Sequence, residues 1–210
     1  HLETLRQAGK IKHIGVTNFG VSRLEEILAA GVPVVAHQVQ YSVLDHRPER
    51  GMVELCERRG IGLLCYGTLA GGFLSERYLG ISEPMPPFEN RSLVKYKLII
   101  DDFGGWGLFQ QLLAALASIA ARHNVSIASV ASRHVLQKRG VAATIVGARH
   151  ARHLPDTLRT FGYALDRTDL EAIERITCQA LGPAGDVYTA EREKGSRHAA
   201  IMKYNLSSEQ

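Results

Sequence analysis

Short apolar runs, each followed by an amphipathic stretch, recur along this chain and predict alternating strands and helices. Residues 11–16 (IKHIGV), 34–39 (VVAHQV) and 61–66 (IGLLCY) are of strand length, largely apolar rather than alternating, and separated by roughly 22 to 27 residues. That spacing suits repeated βα units with short connections, and strands of this kind build a parallel sheet buried on both faces. The helical stretches carry their own punctuation. Residues 2–8 have the pattern of the last turns of an amphipathic helix stopped by Gly9, a residue that readily takes the left-handed cap position. Ser22 stands three residues before Glu25, a capping-box spacing, and Leu24, Ile27 and Leu28 follow at helical period until Gly31. Residues 48–59, with Val53, Leu55 and Cys56 apolar, end at Gly60. Further helices are predicted over 108–122 and 126–139, a fourth strand over 143–147, and a helix over 154–161. A last helix starts at Thr168, paired with Glu171 at another capping-box spacing.

Two segments break the rhythm. Residues 67–97 hold four glycines (67, 71, 72, 80) and three prolines (84, 86, 87) with little helical period. Long loops of this kind in α/β domains are either functional lids or tolerated surface insertions. From Leu181 onward glycine, proline and charge dominate, so the chain divides into a body over 1–180 and a mobile tail over 181–210.

Composition narrows the classes. The chain of 210 residues, 45% hydrophobic and 22% charged, is ordinary for one globular domain. Its formal charge of +4 comes from scattered Arg and Lys, with one denser patch over residues 149–153. Scattered charge forms a solvated face, so no nucleic-acid partner is expected. No apolar run approaches the roughly 18 to 20 residues of a membrane span, and no signal peptide is visible, so no membrane partner is expected either. Cys56, Cys65 and Cys178 lack the spacing of a disulfide framework or a zinc site, which fits a reducing, cytoplasmic compartment. A GxGxxG fingerprint, a Walker loop and a GxSxG elbow are all missing, and Gly104, Gly105 and Gly107 around Trp106 look like a loop leading into a helix.

Candidate chemistry starts where the first strand ends. KIKHIGVTNF passes from an apolar run into Thr17 and Asn18, and parallel α/β folds place their chemistry at the C-terminal ends of strands. Asn18 is either a ligand-binding side chain or a plain turn residue. Gln38 lies in an apolar strand, where an unpaired amide is costly, so it needs a partner: a ligand, or a neighbour such as Gln40. Arg149, His150, Arg152 and His153 form a compact basic cluster, suited to a phosphate or to a solvated charged face. His150 and His153 are three apart, but no carboxylate or Cys spacing joins them, so no metal is expected.

Three stretches, LETLRQAGKIKHIGVTNF, GLLCYGTLAGGFL and TIVGARHARHLPDTL, resemble the aldo/keto reductase family, and the likeness spans residues 2–176. It implies an α/β fold, an eight-stranded (β/α)8 TIM barrel, of which this chain is about the C-terminal half: four parallel strands, numbers five to eight, with flanking helices. In the family, residues matching Thr17, Asn18 and Gln38 hold the nicotinamide carboxamide; a neutral amide needs both a donor and an acceptor, which Asn or Gln supplies from one side chain. Tyr66 matches the aromatic laid flat against the nicotinamide ring, with a core tyrosine as the other reading. Gly67, Thr68 and Leu69 then begin the loop under the pyrophosphate, although the commoner Ser-Pro pair is replaced at 67 and 68. Gly147, Ala148 and Arg149 match the phosphate loop after the last strand, and with His153 they favour an adenosine 2′-phosphate, hence NADP(H) ahead of NAD(H). Asp156 and Thr157 stand where the family often has Glu and Asn against adenine, Thr being a departure; and against the reading of 181–210 as a mobile tail, C-terminal segments in the family often fold over the active-site mouth.

The implied activity is NADPH-dependent reduction of an aldehyde or ketone to an alcohol, so a small carbonyl or alcohol substrate is the expected partner. The alternative is a non-catalytic cofactor-binding protein on the same barrel, like the auxiliary subunits of potassium channels. The family's proton donor is a Tyr with its pKa lowered by Lys and Asp, beside a His, all from the first half of the barrel. The tyrosines here, at 41, 66, 78, 96, 163, 188 and 204, lack that context, so no catalytic residue is assigned. The chain starts at His1 in mid-helix, so a fragment is expected, with exposed strand edges prone to self-association and inactive alone.

Overall fold

Each apolar run becomes a strand, and each amphipathic run a helix returning along it. The computed structural model describes residues 1–147 and 150–202. Among these, four parallel strands lie in chain order: β1 (Ile14–Thr17), β2 (Val34–Gln40), β3 (Gly62–Tyr66) and β4 (Val141–Thr144). The helices are α1 (Leu2–Gln7), α2 (Val21–Ala29), α3 (Met52–Arg59), α4 (Arg91–Phe103), α5 (Gly105–His123), α6 (Ile127–Leu136), α7 (Leu154–Arg159), α8 (Arg167–Thr177), α9 (Thr189–Arg192) and α10 (Arg197–Ala200). The fold is α/β, a parallel sheet with flanking helices, as the apolar strands implied.

The sheet has two unlike faces. Val16, His37 and Leu63 are register partners, as are Val39, Cys65 and Thr144. Val39, Leu63 and Cys65 are buried against Leu24 of α2, Met52, Leu55 and Cys56 of α3, and Val135 of α6. Full burial of each such aliphatic side chain is worth about 1.5–3 kcal/mol. On the opposite face Thr17, Gln38 and Leu64 stand side by side; Thr17 is exposed and the other two are half-buried. A second apolar layer lies beyond β3. There Phe103 of α4, Phe109, Leu112 and Leu116 of α5, Val130 of α6 and Ile173 of α8 close around Phe73 and Leu74.

Local differences from the sequence expectation have identifiable causes. β1 begins at Ile14 rather than residue 11, because Gly9, at φ +70°, caps α1 and the chain needs residues 10–13 to reach the sheet. Helix α2 starts at Val21 with Gly20 as its N-cap, so Ser22 and Glu25 form no capping box. A distant carboxylate does that work: Asp186 accepts the Val21 N–H at 2.6 Å. At α8 the box is built by Asp166 and Asp169, two residues ahead of Thr168 and Glu171, since an extended Asp at the boundary is a strong acceptor for the N3 amide. The segment 67–97 contains the start of α4, capped by the Asn90 side chain accepting from Leu93. The upstream prolines masked its spacing of Leu93, Tyr96, Ile100 and Phe103.

The largest difference is at the C-terminus. Residues 183–202 pack against the sheet end instead of trailing away: Val187, Glu191 and His198 are buried. The anchor is Arg47, 1% exposed, whose guanidinium makes two hydrogen bonds to Asp45 (2.7 and 2.9 Å) and two to Glu191 (2.8 and 2.9 Å). Arg197 and His198 add bonds to Asp102 on α4.

Without Glu191 the buried Arg47 guanidinium would lose two of these four hydrogen bonds and keep Asp45 as its matching charge. Glu191→Ala should cost about 3 kcal/mol in urea unfolding and open residues 183–202 to limited proteolysis before the body is cut. An unchanged unfolding midpoint with the native digestion pattern would show that this clamp does not hold the segment.

Candidate functional site

The C-terminal ends of β1, β2 and β3 converge on one cluster of polar side chains. Asn18 follows β1 at φ +59°, in the left-handed region, which Asn tolerates better than most residues. Its N–H donates to the Gln38 carbonyl at 3.0 Å, and the Thr17 hydroxyl donates to that same oxygen at 3.3 Å. From the end of β3 the Tyr66 hydroxyl donates to Asn18 Oδ1 at 2.7 Å. Residues 48 apart in sequence are thereby fixed together, and Asn18's amide is turned to present its NH2 group. Burial pushes the Tyr66 phenol well above its ordinary range, so it stays a neutral donor.

His37 fixes the turn from the helix side of the sheet. Its Nε2 accepts the Phe19 N–H at 3.2 Å, which requires that nitrogen to be unprotonated. Burial pushes its pKa down to about 4, against an upward pull from Asp186. Gln38, on the opposite face, has no side-chain hydrogen bond among the described residues. Of the two partners open to Gln38, Gln40 does not bond it, because Gln40 points its NH2 at Asp45 (2.7 Å).

Beyond β3 the chain makes a loop with unused donors. Gly67 sits at φ +73°, and a Cβ there would meet Tyr96 Oη at 2.6 Å. Glycine is therefore needed both for the turn and for the close approach of α4. Among the described residues nothing accepts from the N–H groups of Thr68 or Leu69. The Thr68 hydroxyl is likewise buried without a partner, as is Gln40 Oε1. Buried polar atoms left unpaired in a native fold call for a ligand or water. The Asn18 amide, the Gln38 amide, the Tyr66 ring and this donor loop fit the nicotinamide and pyrophosphate of a dinucleotide.

The other predicted end is less complete. Gly147 lies just past β4, while Ala148 and Arg149 fall outside the described residues. His153 is exposed just ahead of α7, near Arg152 and His150. Asp156 accepts from the Ser126 hydroxyl (2.5 Å) and Thr157 donates to the His153 carbonyl (3.0 Å), so both adenine candidates are engaged within the protein. No cluster of three or more metal-ligating side chains occurs among the described residues, and no single described helix is long and apolar enough to cross a membrane.

The sequence did not reveal several side chains that surround this site. The Lys95 ammonium lies over the rings of Tyr66, Tyr96 and Tyr188, and Arg192 lies over Phe19 and Tyr188. Lys95 and Tyr96 were hidden with helix α4, whose apolar spacing was the available signal. Nothing local marked Tyr188, Glu191 or Arg192 in a Gly- and Pro-rich tail.

Comparison with known proteins gives the chain a family and a fold. The family model described as "Aldo/keto reductase family" matches residues 1–177. An aldo-keto reductase of Babesia bovis is 31% identical over 178 residues, covering 80% of this chain and 61% of that protein. Flagellar radial spoke protein 5 of Chlamydomonas reinhardtii is 37% identical over 127 residues, covering 59% of this chain and 24% of that protein. A glycerol dehydrogenase structure from Gluconobacter oxydans shares the fold, with a TM-score of 0.74 at 22% identity, over 88% of this chain and 54% of that one. The chain thus spans from a quarter to three fifths of the length of these proteins.

The His37 contact sets a pH dependence. Its folded pKa, near 4, lies below the ordinary value of 6.5, so the folded state resists protonation more than the unfolded one. The stability this contributes is complete above about pH 6.5 and is lost as pH falls from there toward 4, by up to about 3 kcal/mol. Urea midpoints measured across that window should fall more steeply for the natural protein than for His37→Gln. Parallel curves would exclude this role for His37.

Proposed function

The chain belongs to the aldo/keto reductase family, and we propose that it forms the cofactor-binding half of an NADPH-dependent oxidoreductase that reduces an aldehyde or ketone to an alcohol. The observation that carries this reading is the bond from Tyr66 to Asn18 (2.7 Å) with Gln38 alongside: three strand ends, one aromatic platform and two amides gathered in one place.

Each residue has a defined task. Asn18 and Gln38 present amide groups to the carboxamide, whose donor and acceptor they complement. Tyr66 offers its ring as a stacking surface while its hydroxyl holds Asn18 in position. The N–H groups of Thr68 and Leu69, with the Thr68 hydroxyl, are placed to take pyrophosphate oxygens. The basic residues Arg149, Arg152 and His153 supply charge for a 2′-phosphate. When bound, the nicotinamide supplies the hydride, and the residues of this chain orient it and exclude water.

A non-catalytic, cofactor-binding role on the same barrel is the second reading: burial holds the phenol at the site, Tyr66, well above the range of a proton donor at neutral pH, and both readings share the cofactor seat.

Titration of NADPH fluorescence against the purified chain tests the shared premise. Saturable enhancement is expected at micromolar cofactor, weakened about tenfold or more by Asn18→Ala and by Tyr66→Ala, the loss of one charge-free hydrogen bond plus stacking. Replacing Arg149 and Arg152 with Ala should weaken NADPH while leaving NADH unchanged. Absence of any saturable change would remove the cofactor reading; equal loss for both cofactors would remove the 2′-phosphate assignment.

A further inference from the structure

Among the described residues, Lys95 is the cation that lies over three aromatic rings. Its Nζ lies 5.0 Å from the centroid of the Tyr66 ring and 5.6 Å from those of Tyr96 and Tyr188. Tyr96 and Tyr188 are 7% exposed, so the rings form walls and not surface decoration. Among the described residues no carboxylate comes within ion-pair distance of this ammonium. Three π faces around one cation make a recognised cation receptor, strongest where water is excluded. Burial lowers the Lys95 pKa, with Glu191 pulling the other way, so the charged form is held there against a desolvation cost.

Two features make this more than packing. The ring nearest the ammonium is Tyr66, the platform assigned above to nicotinamide. The cage is also assembled from three separate segments: the end of β3, the second turn of α4 and the C-terminal strap. The strap is locked down by the Arg47–Glu191 clamp three residues beyond Tyr188. A flexible side chain anchored on α4 fills the space those segments define. Oxidised nicotinamide is a flat ring bearing one positive charge; the reduced ring is neutral.

We propose that Lys95 is a tethered cation occupying the nicotinamide seat over Tyr66, so that the Tyr66, Tyr96 and Tyr188 cage is a cation-selecting site that determines specificity for the oxidised cofactor. This rests on the cofactor reading for the identity of the ligand, whereas the cage and its tenant are properties of this chain. Lys95 must leave before a ring enters, so the apparent affinity is reduced by the fraction of molecules in which the seat is taken.

Replacement of Lys95 tests this with two probes. Lys95→Met and Lys95→Gln empty the seat, and Lys95→Arg keeps a cation in it; using two neutral replacements guards against a folding failure in either. By calorimetry, NADP+ should bind about tenfold more tightly to both neutral variants, NADPH should gain less, and Lys95→Arg should gain nothing. The second probe, 1-methylnicotinamide chloride, carries the cationic ring without phosphates; it should bind the neutral variants and not the natural chain, and Tyr66→Leu in the Lys95→Met background should abolish that binding. Equal weakening of NADP+ and NADPH in the neutral variants would overturn the proposal and make Lys95 a phosphate-holding residue. So would 1-methylnicotinamide binding that is absent or the same in all variants. Gain of 1-methylnicotinamide binding with no dinucleotide binding in any variant would uphold the cage and sink the cofactor reading.

Discussion

The arrangement depends on one buried guanidinium. Arg47 is almost wholly withdrawn from water, a position that an arginine holds only with its charge matched and its planar donors used. Burial alone works against its charge, but the carboxylates of Glu191 and Asp45 outweigh that and hold the guanidinium above its ordinary range. Asp45 comes from the loop after β2, and Gln40, the last residue of β2, bonds it in turn. Glu191 comes from the far end of the chain. The sheet end, the loop and the strap are therefore parts of one network, and the strap's position over the site follows from the charge balance of Arg47.

That network also explains why the sequence disclosed some features and hid others. The strands at 34–40 and 62–66, the fold class and the cluster of Asn18, Gln38 and Tyr66 were legible because they depend on local pattern: an apolar run ending in polar residues, with Gly67 at the turn. The strap was not legible, because Tyr188 and Glu191 owe their places to partners more than 90 residues distant. Asp186 shows the same limit: it caps α2 across 165 residues, while Ser22 and Glu25, at a correct local spacing, go unused. Helix α4 lay between these cases, with its apolar spacing present but set after three prolines.

The two faces of the sheet divide the labour. The helix-covered face supplies rigidity through Val39, Leu63 and Cys65, and also carries His37, whose neutral ring reaches past the strand end to hold the Phe19 amide. The other face and the loop after β3 carry polar groups that the described residues use little or not at all. Gln38 has an unengaged amide and Thr17 spends its hydroxyl on one carbonyl, while at the loop Thr68 keeps a buried hydroxyl without a partner. A position that gains nothing for stability from its polar group is better explained by a ligand than by packing.

Charge balance at the mouth ties these threads together. Asp45 and Glu191 bring two negative charges into a poorly hydrated space, and Arg47 bonds both of them. Burial lowers the Lys95 pKa most; Glu191 and, more weakly, Asp45 pull it up, with Arg47 opposing them, so the two carboxylates favour the charged form of Lys95 against its desolvation. A cationic ring arriving over Tyr66 would meet the same carboxylate field that favours the ammonium, and a neutral ring would gain nothing from it. The preference argued for the Tyr66 seat therefore has two sources acting in the same direction: the π faces of three tyrosines, and the carboxylates that the Arg47 clamp holds beneath them.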